Sequence, residues 1–288
     1  MFSIGAFVLI AIAGVGVGVL SGMLGVGSGT VMIPLFRLVF GLSAVVSTAT
    51  SLFAIIPTSV SGLITHLREK TCIPKLGLAM GIAGACTSTL GVRLANISPA
   101  WLIMVVAAII IAYSAFNMLR KAIKPKKKPA AEGAAAGSVK AGGAVDAVAD
   151  KAQTVPAVPT RPELSGKQLL QGALIGLVAG LASGYVGVGG GFIMIPMMLG
   201  ILGIPMLYAS GTSLIAIIIL AIPGVITQIM LGHIDFIAGI AISVGTIPGA
   251  VIGSLLAKRV PERTLRLIFS GMLFVAAVML VVNEFALI

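Results

Sequence analysis

The chain has 288 residues, 58% of them hydrophobic and only 9% charged, and carries a formal net charge of +11. So apolar a composition excludes an ordinary soluble domain, and its apolar runs reach the roughly 20 residues that a hydrocarbon core of about 30 Å demands of a helix. The alternating, aromatic-girdled strands of an outer-membrane barrel are absent from the sequence, which leaves an all-α polytopic membrane protein.

In chain order, the first half offers apolar segments at approximately 2–20, 30–44, 45–66, 74–95 and 100–119. The N-terminus lacks the basic stretch of a signal peptide and continues into a glycine-rich motif, so it reads as a first helix. Cys72 and Cys86 show no metal-ligand spacing, and Cys86, inside an apolar run, reads as a buried inert thiol. The stretch 121–167 then breaks with its surroundings. Rich in Ala, Gly, Pro and Lys, it lacks an apolar face and reads as a flexible linker between a first transmembrane repeat, 1–120, and a second, 168–288. The second half supplies segments at approximately 168–186, 191–205, 207–231, 235–257 and 264–283.

The halves match at a constant offset of 162 residues: Ser21 on Ser183, Gly25 on Gly187, Gly27 on Gly189, Gly29 on Gly191, Pro34 on Pro196 and Thr50-Ser51-Leu52 on Thr212-Ser213-Leu214. A match held in one register is the mark of internal duplication. The second segment of each set is short for a full span, so it reads either as a crossing or as a re-entrant half-helix. Charge placement favours the crossing. Lys and Arg gather in the linker and beside the ends of apolar runs, where positive-inside bias puts them, and no nucleic-acid partner is needed to explain the charge. With the linker in the cytoplasm, Lys258, Arg259, Arg263 and Arg266 join it only if each half crosses five times. The expectation is an inverted five-plus-five arrangement in an inner membrane with both termini outside.

"SGMLGVGSGTVMIPL" at 21–35 and "SGYVGVGGGFIMIPM" at 183–197 place glycines two apart inside apolar segments. Residues two apart cannot share a helical face, and each glycine weakens a helix by about 1 kcal/mol relative to alanine. Gly14 and Gly18, with Gly176 and Gly180, have instead the spacing of close helix packing. The motifs are therefore expected to break their helices. A break in hydrocarbon must line a protein or water cavity, and its freed N–H groups beside a restarting helix form an anion site. The candidate substrate residues are Ser21, Gly22, Gly25, Gly27, Ser28 and Gly29 in the first copy, and Ser183, Gly184, Gly187, Gly189, Gly190 and Gly191 in the second.

Thr50, Ser51, Thr212 and Ser213 are matched hydroxyl pairs that serve either as further anion donors or as bonds to a carbonyl one turn back. Near the segment ends, His66 with its counterpart Gln228, and His233 with Asp235, are the candidates for gating or proton coupling; the bland alternative is a set of polar helix ends. Arg37 and Arg93 read as snorkelling side chains.

The pattern GxxSGxxGVGxGxxMIP in each half, the downstream TSL at 50–52 and 212–214, and GLITH at 62–66 with GVITQ at 224–228 resemble the sulfite exporter TauE/SafE family of multi-spanning transporters. The resemblance covers the chain outside the linker. It implies secondary transport of a small sulfur-containing anion such as sulfite, thiosulfate or a sulfonate. The long linker and Gln228 depart from the pattern. The residues themselves leave a passive anion channel as the alternative to a carrier. They contain no Walker motif, no HExxH and no nucleophile beside a base, so an enzyme, a metal site and a cofactor are not expected.

Overall fold

The structure is a computed structural model and describes residues 4–123 and 165–286. Most of the segment read as a linker therefore lies outside the described residues. Among the described residues there are ten helices and no strand. The first five are α1 (Ile4–Leu24), α2 (Gly29–Phe40), α3 (Ala44–Arg68), α4 (Pro74–Ile97) and α5 (Ala100–Ile123). The second five are α6 (Gly166–Val186), α7 (Gly191–Ile201), α8 (Met206–Met230), α9 (Phe236–Ala257) and α10 (Glu262–Ala286). Every helix of the second set starts 162 residues after its counterpart in the first.

Among the described residues, seven helices are long and apolar enough to cross a membrane, α3, α4, α5, α6, α8, α9 and α10, and the apolar stretch Ile10–Leu24 of α1 is shorter. By contrast α2 has 12 residues and α7 has 11. At 1.5 Å per residue each is about 18 Å long or less, well short of the roughly 30 Å of a hydrocarbon core. Large apolar side chains such as Ile109, Leu170, Val244 and Phe274 project from the bundle, as a surface facing lipid requires.

Small residues set the helix contacts. Gly14, Gly18 and Gly22 form one stripe of α1 against α9, where a Cβ would strike the backbone at Ile242, Thr246 and Ala250. Gly176, Gly180 and Gly184 do the same on α6 against Met80, Gly84 and Ser88 of α4. Spacing by four puts each trio on one face, and the missing side chains let the backbones touch. Gly22 and Gly184, expected among the substrate residues, thus belong to packing stripes inside intact helices.

The registers also fix chain directions. Gly14 lies opposite Ile242 and Gly22 opposite Ala250, so α1 runs parallel to α9. Thr50 meets Asp235 and Thr58 meets Thr246, so α3 is parallel to α9 as well. In contrast, His66 lies beside Gly211 and Leu52 beside Gly224, which makes α3 and its counterpart α8 antiparallel. Along α4 the face bearing Gly77, Gly81, Gly84, Ser88 and Gly91 is buried against α6 and α8. This corrects the reading of Cys86: it lies on the opposite side and is exposed, while Cys72 is the buried cysteine.

Candidate functional site

Both motifs break their helices. Helix α1 stops at Leu24 and α2 begins at Gly29; α6 stops at Val186 and α7 begins at Gly191. Gly25 (φ +67°) and Gly27 (φ +82°) turn the first chain, and Gly187 (φ +75°) and Gly189 (φ +92°) turn the second, through a region that costs an L-residue roughly 1–2 kcal/mol. Gly190 adds a third such residue to the second turn.

The two turns lie against each other. A Cβ on Gly29 would come within 2.8 Å of Val188 Cα, and one on Gly191 would strike the carbonyls of Gly25 and Val26. Gly27 and Gly189 both sit beside Ile55 and Ile217, halfway along α3 and α8. Since α2 and α7 start here, their positive dipole ends meet midway through the bundle.

Hydroxyls tie each turn to the opposite half. Ser51 Oγ donates to the Gly187 carbonyl at 2.7 Å, and Ser213 Oγ donates to the Gly25 carbonyl at 2.6 Å. Thr50 Oγ1 accepts from the Asp235 amide and Thr212 Oγ1 from the Ile73 amide, both at 3.0 Å. All four of these hydroxyls therefore hold the backbone, and each cross-bond in this dry interior contributes about 1 kcal/mol.

Several donors of the turns are left without a partner. Among the described residues, the amides of Val26, Gly27, Ser28, Gly29 and Thr30 have no backbone acceptor, nor do those of Val188, Gly189, Gly190 and Phe192. The hydroxyls of Ser21, Ser28, Thr30 and Ser183 are buried without a partner. Leaving such a group dry and unpaired costs about 1–3 kcal/mol, so a cluster of them calls for a ligand. Thr30 was not singled out from the sequence. Its counterpart is Phe192, and the duplication therefore did not mark it.

The ionisable candidates separate. His66 is buried and bonds Thr71 and the Gly22 carbonyl. Gln228 Oε1 accepts from His233 Nδ1 at 2.9 Å, so positions 66 and 71 repeat at 228 and 233 with the histidine transposed. Asp235 caps α9 by accepting from the Ala238 amide at 3.0 Å. A cavity of about 780 Å³ lies elsewhere, on the flank between α4, α5, α6 and α7, with an apolar lining that includes Val106, Ile110, Tyr113, Tyr185 and Met197. None of the turn residues lines it.

The model described as Sulfite exporter TauE/SafE matches residues 10–280, both halves with their turns. The chain belongs to the TauE/SafE family. Its relatives in that setting include three proteins of Bacillus subtilis (strain 168), each described as a probable membrane transporter protein. YdhB is 28% identical over 86% of this chain and 89% of its own length. YunE is 23% identical over 91% of this chain and 93% of its own, and YjnA is 24% identical over 95% and 99%. No solved structure matches. As a TauE/SafE protein the chain is an integral membrane transporter and not an enzyme.

Proposed function

We propose that this TauE/SafE protein is a secondary active transporter of a small sulfur-containing anion, such as sulfite, thiosulfate or a small sulfonate, working by alternating access. The observation that carries the reading is the collection of unpartnered donors where the N-termini of α2 and α7 meet. Amides at two helix N-termini, with Ser21, Ser28 and Ser183, suit an oxyanion of several oxygens and no fixed cation. The binding set is the turn residues with free amides, Gly27, Ser28 and Gly29 with Gly189 and Gly190, while Gly25, Gly187 and Gly191, whose amides bond the carbonyls of Ser21, Ser183 and Gly189, shape the turns. Ser51, Ser213, Thr50 and Thr212 hold that set in place.

The turns touch in this arrangement, so the anion enters only when the two halves part at this contact. That requirement favours a carrier over a channel. In proteoliposomes, labelled sulfite, thiosulfate or methanesulfonate saturates and is accelerated by the same anion on the far side. Flux that neither saturates nor shows such counterflow identifies a channel, and no flux of any of the three removes the reading.

The repeats are inverted in the membrane and joined by a cytoplasmic linker between α5 and α6. Support comes from the antiparallel α3 and α8 and from basic residues at one end of the bundle, where Lys258 of the α9–α10 connection pairs with Glu69 of the α3–α4 connection. Cysteine labelling from either side of an inner membrane places both termini outside; a cytoplasmic terminus overturns the topology.

A further inference from the structure

Gly22 lies four residues before Val26, whose amide would bond its carbonyl if α1 continued. The break releases that carbonyl, and His66 Nε2 from the rest of the bundle takes it at 3.2 Å; Ser254 Oγ lies 3.3 Å away but donates to the nearer Ala250 carbonyl at 2.7 Å. A carbonyl only accepts, so His66 Nε2 carries a proton. On the other side of the ring, Nδ1 is 2.7 Å from Thr71 Oγ1, and that same hydroxyl is 3.3 Å from the His66 carbonyl.

These distances accommodate two protonation states without stranding a donor. With a neutral ring, Thr71 donates to Nδ1. When Nδ1 gains a proton from water, it donates to Thr71 Oγ1, and the threonine hydroxyl turns to the His66 carbonyl. The ring is only 1% exposed. A buried imidazole whose neighbour can reverse its hydrogen bond can take up and release a proton within a fixed backbone.

The ring's surroundings contain few other charges. Helix α1 presents Gly22, and α8 presents Gly211, where a Cβ would be 3.0 Å from Nδ1. Lys258, just past α9, is paired with Glu69, just past α3, at the same end of the bundle; buried Cys72 of the α3–α4 connection lies against Gly211. In the second half the buried position equivalent to His66 is Gln228, which does not titrate, and His233 is half-buried. The duplication thus contains one fully buried histidine.

We propose that His66 is the proton-binding site that couples anion transport to the proton, one proton per cycle. This rests on the carrier reading above. The proton enters from water, resides on Nδ1, and returns to water on the far side. While bound, it places positive charge on the group that holds the released Gly22 carbonyl, at the edge of the turn whose free amides begin with Val26. Anion and proton therefore stabilise each other's binding, which is what coupling requires.

The test is His66→Gln, the residue that the second half uses at this position, in proteoliposomes containing a pH-sensitive dye. The substrate is whichever of sulfite, thiosulfate and methanesulfonate exchanges; any proton carried by the anion itself is common to both proteins and cancels in the comparison. For a monoanion, the wild type accumulates about tenfold more anion per unit of inward pH gradient, with dye-reported proton entry. His66→Gln loses this additional proton entry, and its exchange rate loses the part of the pH dependence that the wild type owes to the imidazole. Thr71→Val, which removes the acceptor for the Nδ1 proton, moves the midpoint of the pH dependence to lower pH. An unchanged proton-to-anion ratio in His66→Gln overturns the proposal, as does wild-type exchange without proton flux. If no anion exchanges at all, the carrier reading fails and takes this proposal with it.

Discussion

Alanine at both Gly27 and Gly189 reduces anion flux by more than about a hundredfold while leaving a folded, inserted protein. The bundle tolerates the two methyl groups. A Cβ at Gly27 meets its nearest neighbour at 3.4 Å, and one at Gly189 meets the mobile end of Ile55 at 2.9 Å. The backbone is less tolerant, since φ is +82° and +92° there and an L-residue pays roughly 1–2 kcal/mol for each. Rotation of these peptides to relieve the strain turns their amides away from the meeting point of α2 and α7. Loss of two hydrogen bonds to a charged ligand, at about 1.5–3 kcal/mol each, accounts for the size of the effect. The measurement is proteoliposome flux beside thermal unfolding in detergent. Wild-type flux in a folded double mutant contradicts the amide cradle.

Ser21→Ala combined with Ser183→Ala raises the half-saturation concentration for the anion by about tenfold or more, and the unfolding temperature stays level or rises. Both hydroxyls are buried and bond nothing in the protein, so their removal relieves a desolvation cost in the folded state. Their contribution then shows only when an anion is bound. Ser51 and Ser213, a short distance away, should behave oppositely, because they bond the carbonyls of Gly187 and Gly25. A lower unfolding temperature with unchanged half-saturation in the Ser21 and Ser183 variant would assign these serines to packing alone.

Much of this architecture is legible from residue order because it depends on local physics. Apolar runs identify membrane helices wherever they sit, and glycines two apart cannot hold a helix, so the breaks at 25–28 and 187–190 follow from composition and spacing. The duplication is equally local, being a fixed register of 162 residues that all ten helix starts obey. The pairing of His66 with Thr71 carried a usable signal as well, since Gln228 and His233 repeat it with the histidine moved.

Only the tertiary structure decided which polar groups are already bonded and which remain free. Thr50, Ser51, Thr212 and Ser213 find their acceptors and donors in the opposite half, between residues more than a hundred positions apart, whereas Ser21, Ser28 and Ser183 find none. Gly22 and Gly184 likewise became helix contacts, and Cys86 turned outward, because of where α4 and α9 lie. Hydroxyl and glycine patterns state what a segment can offer. Whether the offer is taken by the protein or left for a ligand depends on how helices distant in the chain come to pack.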